Sequence, residues 1–228
     1  ASTSTSATLT EQENAVVTVP PSNSTICAGN NTNFSVTATG TGLTYQWQQS
    51  TGGPFVNLAN GGVYSGVTSS TLTLTGVTAG MTGYQYQVVI TGTCAPTTSS
   101  AGTLTVNTLP LVTVNPIDVT VCEGTGTSFS VTATGTGITY QWQEDNGSGF
   151  TNLANGGVYS TVTTSTLNIS NVLGKGGYRY RAVVSGTCSP ASTSTSATLT
   201  EQKNALVTIP PVNSTVCAGN NTSFSVTA

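Results

Sequence analysis

The 228-residue sequence contains no histidine and very little charge, with four Lys or Arg and seven Asp or Glu. Without histidine, neither a Ser-His-Asp triad nor a Cys-His pair can form. Four cations (Lys175, Arg179, Arg181 and Lys203) and a net charge of −3 leave no basic surface for nucleic acid, so no nucleic-acid partner is expected. No apolar run approaches the ~20 residues of a helical bilayer span, so no membrane-spanning segment is expected. The five cysteines include no CxxC pair, which argues against a zinc-finger type of metal site. No metal and no cofactor are expected. Low charge does not mean disorder here, because β-branched apolar residues are plentiful.

What the chain has in abundance is itself. Residues 1–38 return as residues 191–228 with six differences, among them Val16/Leu206, Val19/Ile209 and Ile26/Val216. The middle repeats as well. TGLTYQWQ at 41–48 returns as TGITYQWQ at 136–143, and NLANGGVYS at 57–65 returns at 152–160. A period of about 95 residues is one small domain rather than a solenoid turn. The copies alternate: CAGNNT opens the first domain, CEGTGT the second and CAGNNT the third. The unit is therefore a pair of domains, and the chain reads as a window on a longer array. The expected divisions are 1–14, the last strand of a preceding domain; 15–108, domain one; 109–204, domain two; and 205–228, the first strands of a following domain.

Within each domain, apolar residues alternate with period two, the mark of half-buried strands. Phe34, Val36 and Ala38 form one such set, Leu43, Tyr45 and Trp47 a second, and Tyr84, Tyr86 and Val88 a third. Thr fills many outward positions, where a β-branched polar residue suits a wet pleated face. Turn clusters such as Thr39-Gly40-Thr41-Gly42 and Asn60-Gly61-Gly62 separate the runs. Some seven strands in ~95 residues predict an all-β Greek-key sandwich. The linkers are short and not Gly/Ser coils, so a semi-rigid, rod-like array is expected. Pro20, Pro21, Pro116, Pro210 and Pro211 are expected in the first strand of each domain, blunting an exposed edge.

Gly29, Phe34, Val36, Trp47, Tyr86 and Val88, and in domain two Gly124, Phe129, Val131, Trp142, Tyr180 and Ala182, resemble the pattern of an immunoglobulin-like domain. The resemblance implies that Phe34, Val36, Trp47, Tyr86, Val88, Phe129, Val131, Trp142, Tyr180 and Ala182 form the cores. It makes Tyr86 and Tyr180 corner tyrosines. It also places the family's usual inter-sheet disulfide at Val36/Val88 and Val131/Ala182, where aliphatic packing stands instead. The longer string YQWQ…NLANGGVYSGVT…GYQYQVVITGTC is similar to tandem immunoglobulin-like repeats of giant Bacteroidota surface proteins. That similarity implies cell-surface adhesins, gliding-motility adhesins or filaments exported by type IX secretion.

Cys27, Cys122 and Cys217 share one repeat position, and Cys94 and Cys188 share another. Disulfides in an oxidising, extracellular setting are the expected use. Two pairings remain open: Cys27–Cys94 with Cys122–Cys188 inside each domain, or Cys27–Cys188 between domains. The immunoglobulin-like topology implied by the resemblance favours the second. It puts Cys27 and Cys94 at opposite ends of a sandwich, separated by a strand of roughly 23 Å, whereas a disulfide needs Cα atoms within about 7 Å.

Other candidates are weaker. Glu144 and Asp145 adjoin the turn Asp145-Asn146-Gly147, but the domain-one counterpart Gln49-Ser50-Thr51 carries no carboxylate. A solvated turn is the simpler reading than a glycosidase pair or a calcium site. Tyr64, Tyr159, Phe55 and Phe150 are candidate contact aromatics, with packing the simpler reading. The expected function is not enzymatic. It is a structural repeat segment of an extracellular adhesin or surface filament. A glycan- or protein-binding module, or an accessory stalk of a secreted enzyme, is the alternative. Expected partners are neighbouring repeats of the same chain, with filament self-assembly and surface glycans or proteins left open.

Overall fold

A computed structural model describes residues 5–228. They form two compact units, and the first runs through Pro110 and takes in Gly135–Gly137 and Gly186–Pro190. Pro110 stays with it because it packs at Gly186, where an added Cβ would lie 3.3 Å from the proline Cγ.

The first unit contains β1 (Val16–Val19), β2 (Ser24–Cys27), β3 (Thr32–Ser35), β4 (Thr37–Thr39), β5 (Thr44–Ser50), β6 (Val56–Asn57), β7 (Tyr64–Ser65), β8 (Thr71–Leu74), β9 (Gln85–Thr91), β10 (Thr97–Thr98) and β11 (Gly102–Asn107). One sheet runs β2-β11-β9-β5-β6, with β10 also on β9, and a second runs β3-β8-β7. β1 pairs with β4. The β2/β11 pair is parallel, so the start of the domain lies along its last strand. Period-two alternation aims Trp47, Tyr86, Val88, Ile90 and Leu104 from the first sheet at Phe34, Leu72 and Leu74 from the second. The indole N–H of Trp47 donates to the Ser69 carbonyl at 2.9 Å, so the largest core side chain has no orphaned polar atom.

The second unit repeats this plan. Its strands are β12 (Leu111–Val114), β13 (Val119–Cys122), β14 (Thr127–Ser130), β15 (Thr132–Thr134), β16 (Thr139–Asp145), β17 (Phe150–Asn152), β18 (Tyr159–Ser160), β19 (Thr166–Ile169), β20 (Arg179–Ser185), β21 (Ser192–Thr193) and β22 (Ala197–Gln202). The sheets run β13-β22-β20-β16-β17 and β14-β19-β18. Trp142 N–H donates to Thr164 O at 2.9 Å. Phe129, Val131, Trp142, Tyr180 and Ala182 are buried together, as are Phe34, Val36, Trp47, Tyr86 and Val88 in the first unit. All-β tandem immunoglobulin-like sandwiches describe both.

The prolines differ from expectation. Pro20 and Pro21 lie between β1 and β2, and Pro116 lies between β12 and β13, rather than inside a strand. A residue with no N–H cannot continue a ladder. The chain uses the break to change partners, leaving β4 for β11 and leaving β15 for β22.

The flanking segments show what a sheet partner contributes. ATLTEQ at 197–202 is strand β22, with Leu199 fully buried. The identical ATLTEQ at 7–12 is not a strand, and Leu9 is 96% exposed. Strand formation here depends on the neighbouring strand rather than on local sequence. Residues 205–228 likewise make one isolated bridge, Ile209 to Thr227, with Phe224 63% exposed where its repeat counterpart Phe34 is buried. Over the described residues, neither 5–14 nor 205–228 forms one of the expected strands.

Candidate functional site

Cys27 ends β2, opposite Asn107 in the parallel register with β11. Cys188 lies in the loop after β20 that clusters with the first unit. Their sulfurs form a disulfide with Cα atoms 5.9 Å apart, and Cys188 is buried. Backbone geometry holds the loop in place. Thr108 N–H donates to Thr136 Oγ1 at 2.9 Å, and Thr136 N–H donates to Thr108 O at 3.2 Å. Thr187 N–H then donates to Thr136 O at 2.9 Å. The alternative pairing within each domain is absent. Cys94, Cys122 and Cys217 are exposed and unbonded.

Tyr86 and Tyr180 are not corner tyrosines. Neither hydroxyl reaches a main-chain group. Tyr86 Oη lies 3.3 Å from Tyr64 Oη, whose hydroxyl donates to Gln49 Oε1 at 2.5 Å. In the second unit, Glu144 replaces Gln49 and accepts from both Tyr159 and Tyr180, the latter at 3.0 Å. Lys175 Nζ stands 3.7 Å from the same carboxylate and 4.7 Å above the Tyr159 ring. Burial, and in Tyr86 and Tyr180 the neighbouring hydroxyl, pushes all four phenols above their ordinary range. Each phenol is thereby held protonated and able to donate a hydrogen bond. Tyr64 and Tyr159 accordingly pack against the cores rather than standing free.

Asp145 is not a solvated turn residue. It is buried and accepts from Gly147 N–H at 2.8 Å, Gly149 N–H at 2.9 Å and Arg179 at 2.5 Å. Ser50 fills the same place in the first unit, bonding Gly52 and Gly53. The signal was the shared hairpin position: a short polar side chain that closes the turn on itself. The Gly147 and Gly149 N–H groups, then Arg179, hold the Asp145 carboxyl below its ordinary 3.8. A depressed carboxylate contributes stability that is present above the ordinary value and is lost as pH falls through the lower, folded one. Melts at about pH 5 and about pH 3 should therefore show a smaller acid-induced loss in the Asp145→Ser chain than in the parent. Equal losses would contradict the role given to Asp145. Phe150 lies under Arg181, 3.9 Å from ring centre to guanidinium carbon. No cluster of three metal-ligating side chains occurs among the described residues.

Residues 16–108 match a domain of unknown function, DUF8696. No curated protein matches the chain. Solved structures are similar at low identity. An I-band fragment of titin has a TM-score of 0.69 at 17% identity, covering 89% of this chain and 70% of the titin fragment. The first four immunoglobulin domains of Sidekick-1 give 0.60 at 19% identity, covering 85% of this chain and 50% of theirs. The first two immunoglobulin domains of DIP-gamma give 0.59 at 14% identity, covering 82% and 97%. No helix among the described residues is long and apolar enough to cross a membrane. Likeness at this identity establishes the fold alone: the chain is a tandem array of immunoglobulin-like sandwiches.

Proposed function

We propose that the chain is a tension-bearing segment of an extracellular adhesin or surface filament. The observation that carries this reading is where the disulfide lies along the chain. Cys27 stands near the start of the first domain and Cys188 near the end of the second, 161 residues apart. A pull on the two ends crosses from Cys27 to Cys188 through a covalent bond. The strands from β3 to β20 lie inside the closed loop, and once β1, β2 and β22 peel from β4, β11, β13 and β20 they carry none of the load. An exported protein meets the oxidising setting that such a bond requires. The near-identical repeat, the scarcity of charge and the absence of histidine agree with a scaffold better than with catalysis. The resemblance to Bacteroidota surface repeats supports reading such a scaffold as one on a bacterial cell, with self-assembly or adhesion as its use.

Single-molecule pulling from both ends tests this. At 3.3–3.6 Å per residue, the closed loop withholds about 550 Å of contour length. The oxidised chain should extend without releasing that length, and the reduced chain should release it in domain-sized steps. Release of the full length under oxidising conditions would contradict the proposal.

A further inference from the structure

Cys94 and Cys122 are exposed and unbonded, and neither alone marks a site. The surroundings of Cys94 carry more information. Next to Cys188, Thr108, Thr136 and Thr187 make the three hydrogen bonds described above, and the residue before Thr108 is Asn107, the register partner of Cys27. Next to Cys94, the same three bonds recur with a different segment. Thr41 N–H donates to Glu13 O at 3.2 Å, Glu13 N–H to Thr41 Oγ1 at 3.1 Å, and Thr93 N–H to Thr41 O at 2.9 Å. The residue before Glu13 is Gln12, and Cys94 Sγ lies 3.7 Å from its carbonyl oxygen.

Gln12 closes the first ATLTEQ. Its twin Gln202 closes the second, inside strand β22, where its register partner is Cys122. The residue that Cys94 touches is therefore the one whose twin sits beside Cys122. Asn107 holds the corresponding place beside Cys27, and Cys27 is bonded.

We infer that Cys94 bonds Cys122 of a second copy of this repeat placed immediately before it, a disulfide distinct from Cys27–Cys188. Two thiols lose two protons and two electrons. A small extracellular disulfide accepts them by exchange and leaves as two thiols, so one S–S bond forms as another breaks. The inference rests on reading the chain as an array segment. It makes every junction a covalent staple, with the two disulfide types alternating along the array.

The test is a chain in which residues 1–190 are repeated ahead of the full sequence, with Cys94→Ser in the first copy and Cys122→Ser in the second so that one Cys94 and one Cys122 remain. It is oxidised with glutathione disulfide, then digested with pepsin at acid pH, where exchange is slow. Mass spectrometry should find Cys122 of the first copy linked to Cys94 of the second, beside Cys27–Cys188 in each copy. Replacing the first copy's Cys122 by Ser should raise alkylation of the second copy's Cys94 more than tenfold, while Cys27–Cys188 stays intact as the control for folding. Both thiols alkylating freely while Cys27–Cys188 forms would overturn this inference and leave the proposed function standing. Loss of Cys27–Cys188 from the folded chain would overturn both.

Discussion

Replacing Trp47 with alanine is expected to destabilise the first domain by about 3–5 kcal/mol. Trp47 is fully buried between the two sheets, so truncation opens a cavity at the centre of the core. It also leaves the Ser69 carbonyl without its donor, at a further cost of about 1 kcal/mol. A domain of this size holds a total stability of only about 5–15 kcal/mol. The sequence has two tryptophans, one in each domain. In the Trp47→Ala chain, fluorescence therefore reports the second domain alone. Its transition should stay near the parent value while circular dichroism shows an earlier loss from the first domain. Trp142→Ala should reverse the pattern. A cost under about 1 kcal/mol would mean that the indole does not fill the core described here.

Loss of the disulfide should be felt across both domains. A closed loop of 161 residues restricts the unfolded chain by about 5 kcal/mol in the chain-entropy account. Cys27→Ser and Cys188→Ser should each lower the melting temperature by roughly 10–20 °C. The double variant should be no worse than either single one, because one bond is lost in all three. Cys94→Ser and Cys122→Ser should leave the melting temperature of the chain unchanged. A drop with Cys94→Ser equal to that with Cys27→Ser would contradict the pairing.

Alternation of apolar residues made the strands legible, and the spacing of Phe34, Trp47 and Tyr86 made the sandwich legible. These signals are local and periodic, and burial follows from them directly. The environment of Asp145 was less legible. Its partners are main-chain N–H groups and Arg179, and no pattern of residue types announces a hairpin closing on a carboxylate. The partners of the tyrosine hydroxyls were illegible for a similar reason. Gln49 and Glu144 sit on β5 and β16, close to Tyr64 and Tyr159 only after the sheets pack. The two ATLTEQ segments mark the limit most sharply. Identical residues form a buried strand at 197–202 and an exposed segment at 7–12, so the outcome lies in the partner strand and not in the hexapeptide.

The central claim is that a disulfide closes over both domains. The most direct measurement is the cysteine connectivity of the oxidised, unreduced chain, read by mass spectrometry after peptic digestion at acid pH. A peptide pair linking Cys27 to Cys188 is expected, with Cys94, Cys122 and Cys217 available to alkylation. A pair linking Cys27 to Cys94 would contradict it.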